Sequence, residues 1–294
     1  MALFLIIFNV VAPVFLIAGS GYLWVKRGVE YPTEFVTRLA TNIAIPCLVF
    51  DSLVNTNIDP DALATMFWAS LATYGGAMVA VYIFVKLARL DMPSYFAPFV
   101  SGNTGNMGLP LCLFAFGQAG FGYAIILFSV TSVFAFSIGI YVITGGTSLR
   151  KLAREPLVLS TLLGLVFLVQ GWQLPEFLAN TINLVGGIGI PIMLITLGVA
   201  VARLKPANIV NAIWLSAAKI AICTGIAILV GAFFDLPDVA YSVLILQMSA
   251  PVAVTSYLLA ERFKVDADAV AGLVVVSTVM TIGVAPLVLS FVLV

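Results

Sequence analysis

The sequence predicts an all-α polytopic membrane protein of ten transmembrane helices, arranged as an inverted five-plus-five repeat in which helices four and nine are broken near mid-membrane. Three observations predict it. Of 294 residues, 62% are hydrophobic and only 9% charged, with a mean hydropathy of +1.17, whereas a soluble domain carries about 25% charged residues. Apolar runs long enough to cross a hydrocarbon core of about 30 Å, which takes about 20 helical residues, recur with short polar gaps between them. The short alternating segments of a β-barrel are absent. Finally, three pairs of short strings recur in the same order in the two halves of the chain.

Windows of about 19 residues place the spans near 3–24, 33–53, 62–88, 96–116, 119–145, 155–172, 176–200, 209–233, 238–260 and 267–292. The first lacks a basic leader and a small-residue cleavage site, and is expected to be a retained helix. Basic residues fall in alternate gaps. Lys26 and Arg27 follow span one, Lys86 and Arg89 span three, and Arg150, Lys151 and Arg154 span five; Arg203 and Lys205 follow span seven, and Arg262 and Lys264 span nine. The other gaps hold no Lys or Arg, and three carry acids: Asp59 and Asp61, Glu176, and Asp235 and Asp238. The positive-inside rule then places both termini outside the cytoplasm of a cell (inner) membrane. The gaps leave no room for a soluble catalytic or sensing domain.

The repeat is read from paired strings. Ile43 to Val49, IAIPCLV, matches Ile188 to Leu194, IGIPIML, at an offset of 145. Asn106 to Leu111, NMGLPL, matches Gln247 to Val252, QMSAPV, at an offset of 141; Pro13 and Gly21 match Pro156 and Gly164 at 143. Residues 1–145 and 150–294 are therefore read as two five-helix units. Five is odd, so the second enters the membrane inverted.

The segment GNTGNMGLPL, Gly102 to Leu111, interrupts an otherwise spanning stretch. Proline removes a donor and clashes with the preceding turn, and glycine lets the chain leave helical geometry. Backbone groups freed at such a depth cannot face lipid and must line an enclosed cavity. Two breaks at matched depth point to a transporter substrate site. The candidate substrate-binding residues are Asn103, Thr104, Asn106, Gly108 and Pro110 in span four and Gln247, Ser249 and Pro251 in span nine. Asn106 and Gln247, at matched positions, are expected to contact substrate together. Thr255 and Ser256 add hydroxyls, which often just bond their own helix. Pro46 and Pro191, in spans two and seven, are read as packing features.

Lys219 is a further candidate. It stands ten residues into span eight, about 15 Å deep, where snorkelling is strained. A lysine at helix centre costs about 2.5–3.5 kcal/mol on insertion scales. It is expected either to supply fixed positive charge beside the breaks, and there to carry a proton or bind substrate, or to bond broken-helix carbonyls structurally.

Histidine is absent, and Cys47, Cys112 and Cys223 lie in separate apolar segments. No metal, cofactor or disulfide is expected. No P-loop string supports an ATP-driven pump, and no filter string a channel. An intramembrane enzyme would need a nucleophile with its base or paired carboxylates, yet the acids lie mostly near span ends. No nucleic-acid partner is expected.

With GNTGNMGLPL in the fourth span, the proline in the ninth and the five-plus-five repeat, the whole chain resembles the auxin efflux carrier family, bacterial type, within the bile/arsenite/riboflavin transporter superfamily. The resemblance implies that helices four and nine cross at their breaks. It also implies a scaffold of spans 1, 2, 6 and 7 and a transport domain of spans 3–5 and 8–10. Members carry organic anions, auxin in plants and dicarboxylates in bacteria. The long hydrophilic loop of many plant members is missing between spans five and six. The function expected is a secondary carrier of small mono- or dicarboxylates working by elevator-like alternating access, the alternative being a sodium-coupled symporter of the bile acid type. Spans 2 and 7, small-residue-rich around Gly186, Gly187 and Gly189, are expected to form a homodimer surface.

Overall fold

The computed structural model describes residues 2–134, 155–206 and 208–292 of an all-α chain. Arg150, Lys151 and Arg154, with the end of the expected fifth span, lie outside the described residues. Seven helices among the described residues are long and apolar enough to cross a membrane. They are α1 (Leu3–Lys26 within Ala2–Lys26), α2 (Thr33–Val54), α3 (Pro60–Leu87), α5 (Thr104–Phe134), α7 (Glu176–Arg203), α8 (Ile209–Phe233) and α11 (Ala267–Val292). Shorter helices complete the path: α4 (Met92–Val100), α6 (Pro156–Gln170), α9 (Asp238–Met248) and α10 (Val254–Phe263).

The helix ends follow from local chemistry. Asp59 caps α3, its carboxylate accepting the Asp61 amide at 2.9 Å, with Pro60 in the first turn. Asp91 caps α4 by accepting from Ser94 at 3.0 Å. Gly171 ends α6 in the left-handed region, φ 64°. Inside α5, Gly117 (φ 62°, ψ −155°) turns the chain between the two apolar stretches that the sequence separates at 116 and 119.

The prolines of α2 and α7 behave as packing features. A wide π turn at Ala40–Ala44 precedes Pro46 and absorbs the clash its ring would make with the residue 42 carbonyl. In α7 the helix loosens at Ile188 (ψ −13°), just before Pro191. There α2 and α7 cross closely: a Cβ on Gly186 would lie 2.9 Å from the Leu48 backbone, and one on Gly189 3.3 Å from the Leu48 side chain. These two glycines are therefore used within the chain. Gly187 faces outward, with Leu184 and Ile188 exposed beside it.

Helix α1 runs along α7, and α2 packs on α6 and α7. Helix α3 packs on α4, α5 and α8; α8 on α9 and α11; α9 on α5. Two sets of contacts tie helix ends together. Arg203 of α7 donates to Thr33 and to the Tyr31 carbonyl, and the Asp266 amide donates to Ser94 at 3.1 Å. The gaps after the first and seventh expected spans thus share one side, as do those after the third and ninth. At the other end of α2, Asp51 accepts from Asn55 and Asn183, each at 3.0 Å.

Buried side chains form a continuous apolar cluster through the middle of the bundle. Outside it Phe4, Leu16, Leu184 and Phe233 are each over two-thirds exposed. In water such a surface would be an aggregation hazard; in a bilayer it is the face turned to acyl chains. Hydroxyls are returned to the backbone, as in Ser70 to Met66, Thr73 to Ala69 and Thr281 to Ser277.

The α1–α7 contact depends on glycine. A Cβ on Gly198 would overlap the Ala18 carbonyl, and one on Gly21 the Ile195 carbonyl, whereas Gly225 in α8 has nothing within 4 Å. Gly198→Val should lower the thermal unfolding midpoint of the detergent-purified protein by several degrees, since overpacking costs about 1–3 kcal/mol or more. Gly225→Val should leave it nearly unchanged.

Candidate functional site: the paired helix breaks

Helix α4 stops at Val100, and three residues lead into α5; α9 stops at Met248, and five residues lead to α10. The two interruptions meet. The Asn103 amide donates to the Pro251 carbonyl at 2.7 Å and the Ala253 amide to the Ser101 carbonyl at 3.0 Å, closing a short antiparallel bridge between Gly102 and Val252. Each break satisfies backbone groups that the other leaves unpaired.

Three further groups are met from neighbouring helices. The Val252 amide donates to Ser277 Oγ of α11 at 2.9 Å, Lys219 Nζ of α8 donates to the Ala250 carbonyl, and Cys223 Sγ to the Phe99 carbonyl at 3.6 Å. The Asn103 carbonyl receives both Met107 and Gly108 amides at 3.2 Å.

On one side of the bridge lies a cavity of about 170 Å³. The stretches Ser101–Asn106 and Ala253–Thr255 line it, so the N-termini of α5 and α10 both open onto it. Leading amides of a helix have no intrahelical acceptor, and the macrodipole places partial positive charge there. Asn103 is 5% exposed, and its Nδ2 has no hydrogen-bond partner among the described residues. Thr41 and Ile45 of α2, Phe128, Thr131 and Ser132 of α5, Glu155 and Leu157 at the start of α6 and Met193 of α7 complete the wall.

The candidates divide into two groups. Asn103, Thr104 and Asn106 line this cavity, with Thr255. Gly108, Pro110, Lys219, Gln247, Ser249 and Pro251 lie in the packed region around the bridge and do not line it. Gln247 is fully buried against Gly108, where any Cβ would overlap its amide, and neither its Oε1 nor its Nε2 has a partner among the described residues. Asn106 and Gln247, expected to act together, therefore do not share a cavity in this conformation. Ser249 bonds back to Leu246 at 2.8 Å, and Pro251 contributes its carbonyl to the bridge.

Lys219 is 1% exposed, and no carboxylate pairs with it among the described residues. Its Nζ lies 3.5 Å from where a Cβ on Gly102 would stand, so its charge sits behind the bridge from the cavity. The placement gives Lys219 a bond to a broken-helix carbonyl at a position beside the breaks.

Sequence reasoning did not name Thr41, Thr131, Ser132, Glu155 or Met193. The wide turn before Pro46 holds Thr41, and the proline was the available signal. The others carry no local mark in their segments.

Apolar helices in this number, with two interrupted segments closing on each other beside a cavity that Asn103, Thr104 and Asn106 line, define a multi-pass membrane transport protein. A profile of the family described as membrane transport protein matches residues 6–147 and 142–289, and the chain belongs to that family, the auxin efflux carriers. An uncharacterized transporter of Methanothermobacter thermautotrophicus is 27% identical over 282 residues, 91% of this chain and 92% of that one. An uncharacterized transporter of Methanocaldococcus jannaschii is 23% identical over 192 residues, 62% of each.

The bond from Val252 to Ser277 is open to test. Ser277→Ala should strand a buried amide, at a cost of about 1–3 kcal/mol, and lower the unfolding midpoint. Ser290→Ala, on the exposed part of the same helix, should not.

Proposed function

We propose that this transporter is a secondary carrier of small organic anions, mono- or dicarboxylates, working by elevator-like alternating access. The observation that carries the proposal is the convergence of two helix N-termini and the unpartnered Asn103 amide on one cavity of about 170 Å³. Amide donors and dipole ends suit a carboxylate without a buried counter-charge in the wall, so the anion can be released. Glu155 in that wall disfavours a second negative charge near it and favours a substrate that presents a hydroxyl there.

In this reading the chain crosses a cell inner membrane ten times as an inverted five-plus-five repeat, with both termini outside and the paired breaks as the crossing of helices four and nine. The scaffold comprises spans 1, 2, 6 and 7, and spans 3–5 and 8–10 move. The division is supported by the packing of α1 on α7 and of α2 on α6 and α7, set against that of α3 on α4, α5 and α8 and of α8 on α9 and α11. Two-sided access is supported by a second cavity of about 290 Å³ around Asp51, Asn55, Gln118 and Asn183, on the far side of the Asn106 to Leu113 stretch. Dimerisation through spans 2 and 7 would use the exposed Leu184 and Ile188 surface.

Lys219 supplies a fixed positive charge behind the bridge, where a sodium-coupled symporter of the bile acid type would place a metal ion. Sodium should then be dispensable. Lys219→Ala should lose uptake of anion into proteoliposomes, and Lys219→Arg should rescue poorly, because a planar fork does not replace a compact ammonium. Wild-type uptake that requires sodium would contradict this role.

The site itself is tested by screening purified protein for carboxylates that raise its unfolding midpoint, then measuring counterflow of the labelled hit. A carrier exchanges faster than it leaks; a channel does not. Asn106→Ala should fold normally and lose at least about tenfold in affinity, the equivalent of about 1.4 kcal/mol for one charge-assisted hydrogen bond. Unchanged affinity in Asn106→Ala would remove the cavity from the transport path.

A further inference from the structure

The largest cavity described is a different one. It has a volume of about 540 Å³ and lies between α1 and α7 on one wall and α11 on the other. From Val14 to Lys26 its α1 wall covers about 18 Å at helical rise, close to the roughly 15 Å of one bilayer leaflet's hydrocarbon. The lining is almost wholly apolar along this length and becomes basic at one end. Lys26 lines that end, its ammonium 5.4 Å from the centre of the Tyr22 ring. Leu204 and Pro206 line the same end. The Lys26 ammonium has no carboxylate partner among the described residues.

The crevice is held open by the placement of glycines. Gly198 locks α7 against the Ala18 backbone, while Gly19, one residue on, faces open space, with nothing within 4 Å of a Cβ built there. Val279 and Ile282 on the α11 side are 56% and 53% exposed, so the crevice is open towards the surface that acyl chains cover.

We infer that this crevice binds an anionic phospholipid, with one acyl chain lying between α1 and α11 and the headgroup phosphate at Lys26. A water-soluble anion gains little from such a wall, since its charge sits at one end and the Thr278 hydroxyl in it is bonded back to Val274. A leaflet-long apolar slot with an ammonium at headgroup level matches an acyl chain and its phosphate in both length and charge. A zwitterionic lipid would bring its own ammonium to the same place and be disfavoured. The site is separate from the carboxylate cavity: Met107 lines this crevice, and Asn103 to Asn106 line the other.

The test uses delipidated full-length protein in detergent, with mixed micelles of phosphatidylglycerol or phosphatidylcholine titrated in and thermal unfolding as readout. Phosphatidylglycerol should raise the midpoint by several degrees, and phosphatidylcholine at equal dose should not. Lys26→Gln, at an exposed position, should weaken the phosphatidylglycerol effect about fivefold. Gly19→Leu should fill the slot and abolish it. Val279→Trp, on the opposite wall at a position already turned outward, should do the same and serves if Gly19→Leu folds poorly. Equal stabilisation by both lipids, or an undiminished phosphatidylglycerol effect in both filled variants, would overturn the inference. So would stabilisation that follows protein concentration and not lipid, which would give the crevice to a second copy of the chain.

Discussion

Two hydrogen bonds, Asn103 to Pro251 and Ala253 to Ser101, are the constraint on which the rest of this structure depends. A helix interrupted in the middle of a bilayer exposes amides and carbonyls that lipid cannot satisfy, and each unsatisfied group costs several kcal/mol. The protein resolves this by interrupting two helices at one place and letting them satisfy one another. Pro251 is suited to its position because it needs no acceptor and offers only a carbonyl. Ser277, Lys219 and Cys223 from the helices around it take up the Val252 amide and the Ala250 and Phe99 carbonyls. Part of the freed backbone is thereby paired inside an apolar bundle, while the leading amides of α5 open onto the cavity.

The surrounding helices supply rigidity by close approach. Hydrophobic driving force is weak between helices already dissolved in lipid, so contact depends on backbones that fit. Gly198 and Gly21 bring α1 against α7, and Gly186 and Gly189 bring α7 against α2. Lys219 shows the opposite economy. Its burial is costly, and among the described residues its recorded acceptor is a single carbonyl of the broken segment. That carbonyl follows the C-terminal end of α9, and the charge sits behind the bridge from the cavity onto which the two helix N-termini open.

The breaks were legible in the sequence because proline, glycine and asparagine are conspicuous against an apolar background. GNTGNMGLPL marked its own position, and Gly117 fell where the gap was expected. The walls of the cavity were not legible. Thr41, Thr131 and Ser132 sit on helices where apolar residues occur on every side, so periodicity does not show which face looks inward. Gln247 was matched to Asn106 by offset, yet the two face different surroundings, because similar strings in two helices need not present the same face to one cavity. Gly186 and Gly189 were read as a surface between subunits, and the chain uses them within itself.

Backbone hydrogen exchange, resolved to single residues, tests the central claim that the two breaks close as one unit around an anion-binding cavity. The Asn103 and Ala253 amides should exchange many-fold more slowly than the leading amides of α5 at Thr104 to Asn106, and only the latter should slow further when a binding carboxylate is added. Fast exchange at Asn103 and Ala253, or no response of the α5 amides to any carboxylate that stabilises the protein, would contradict the account.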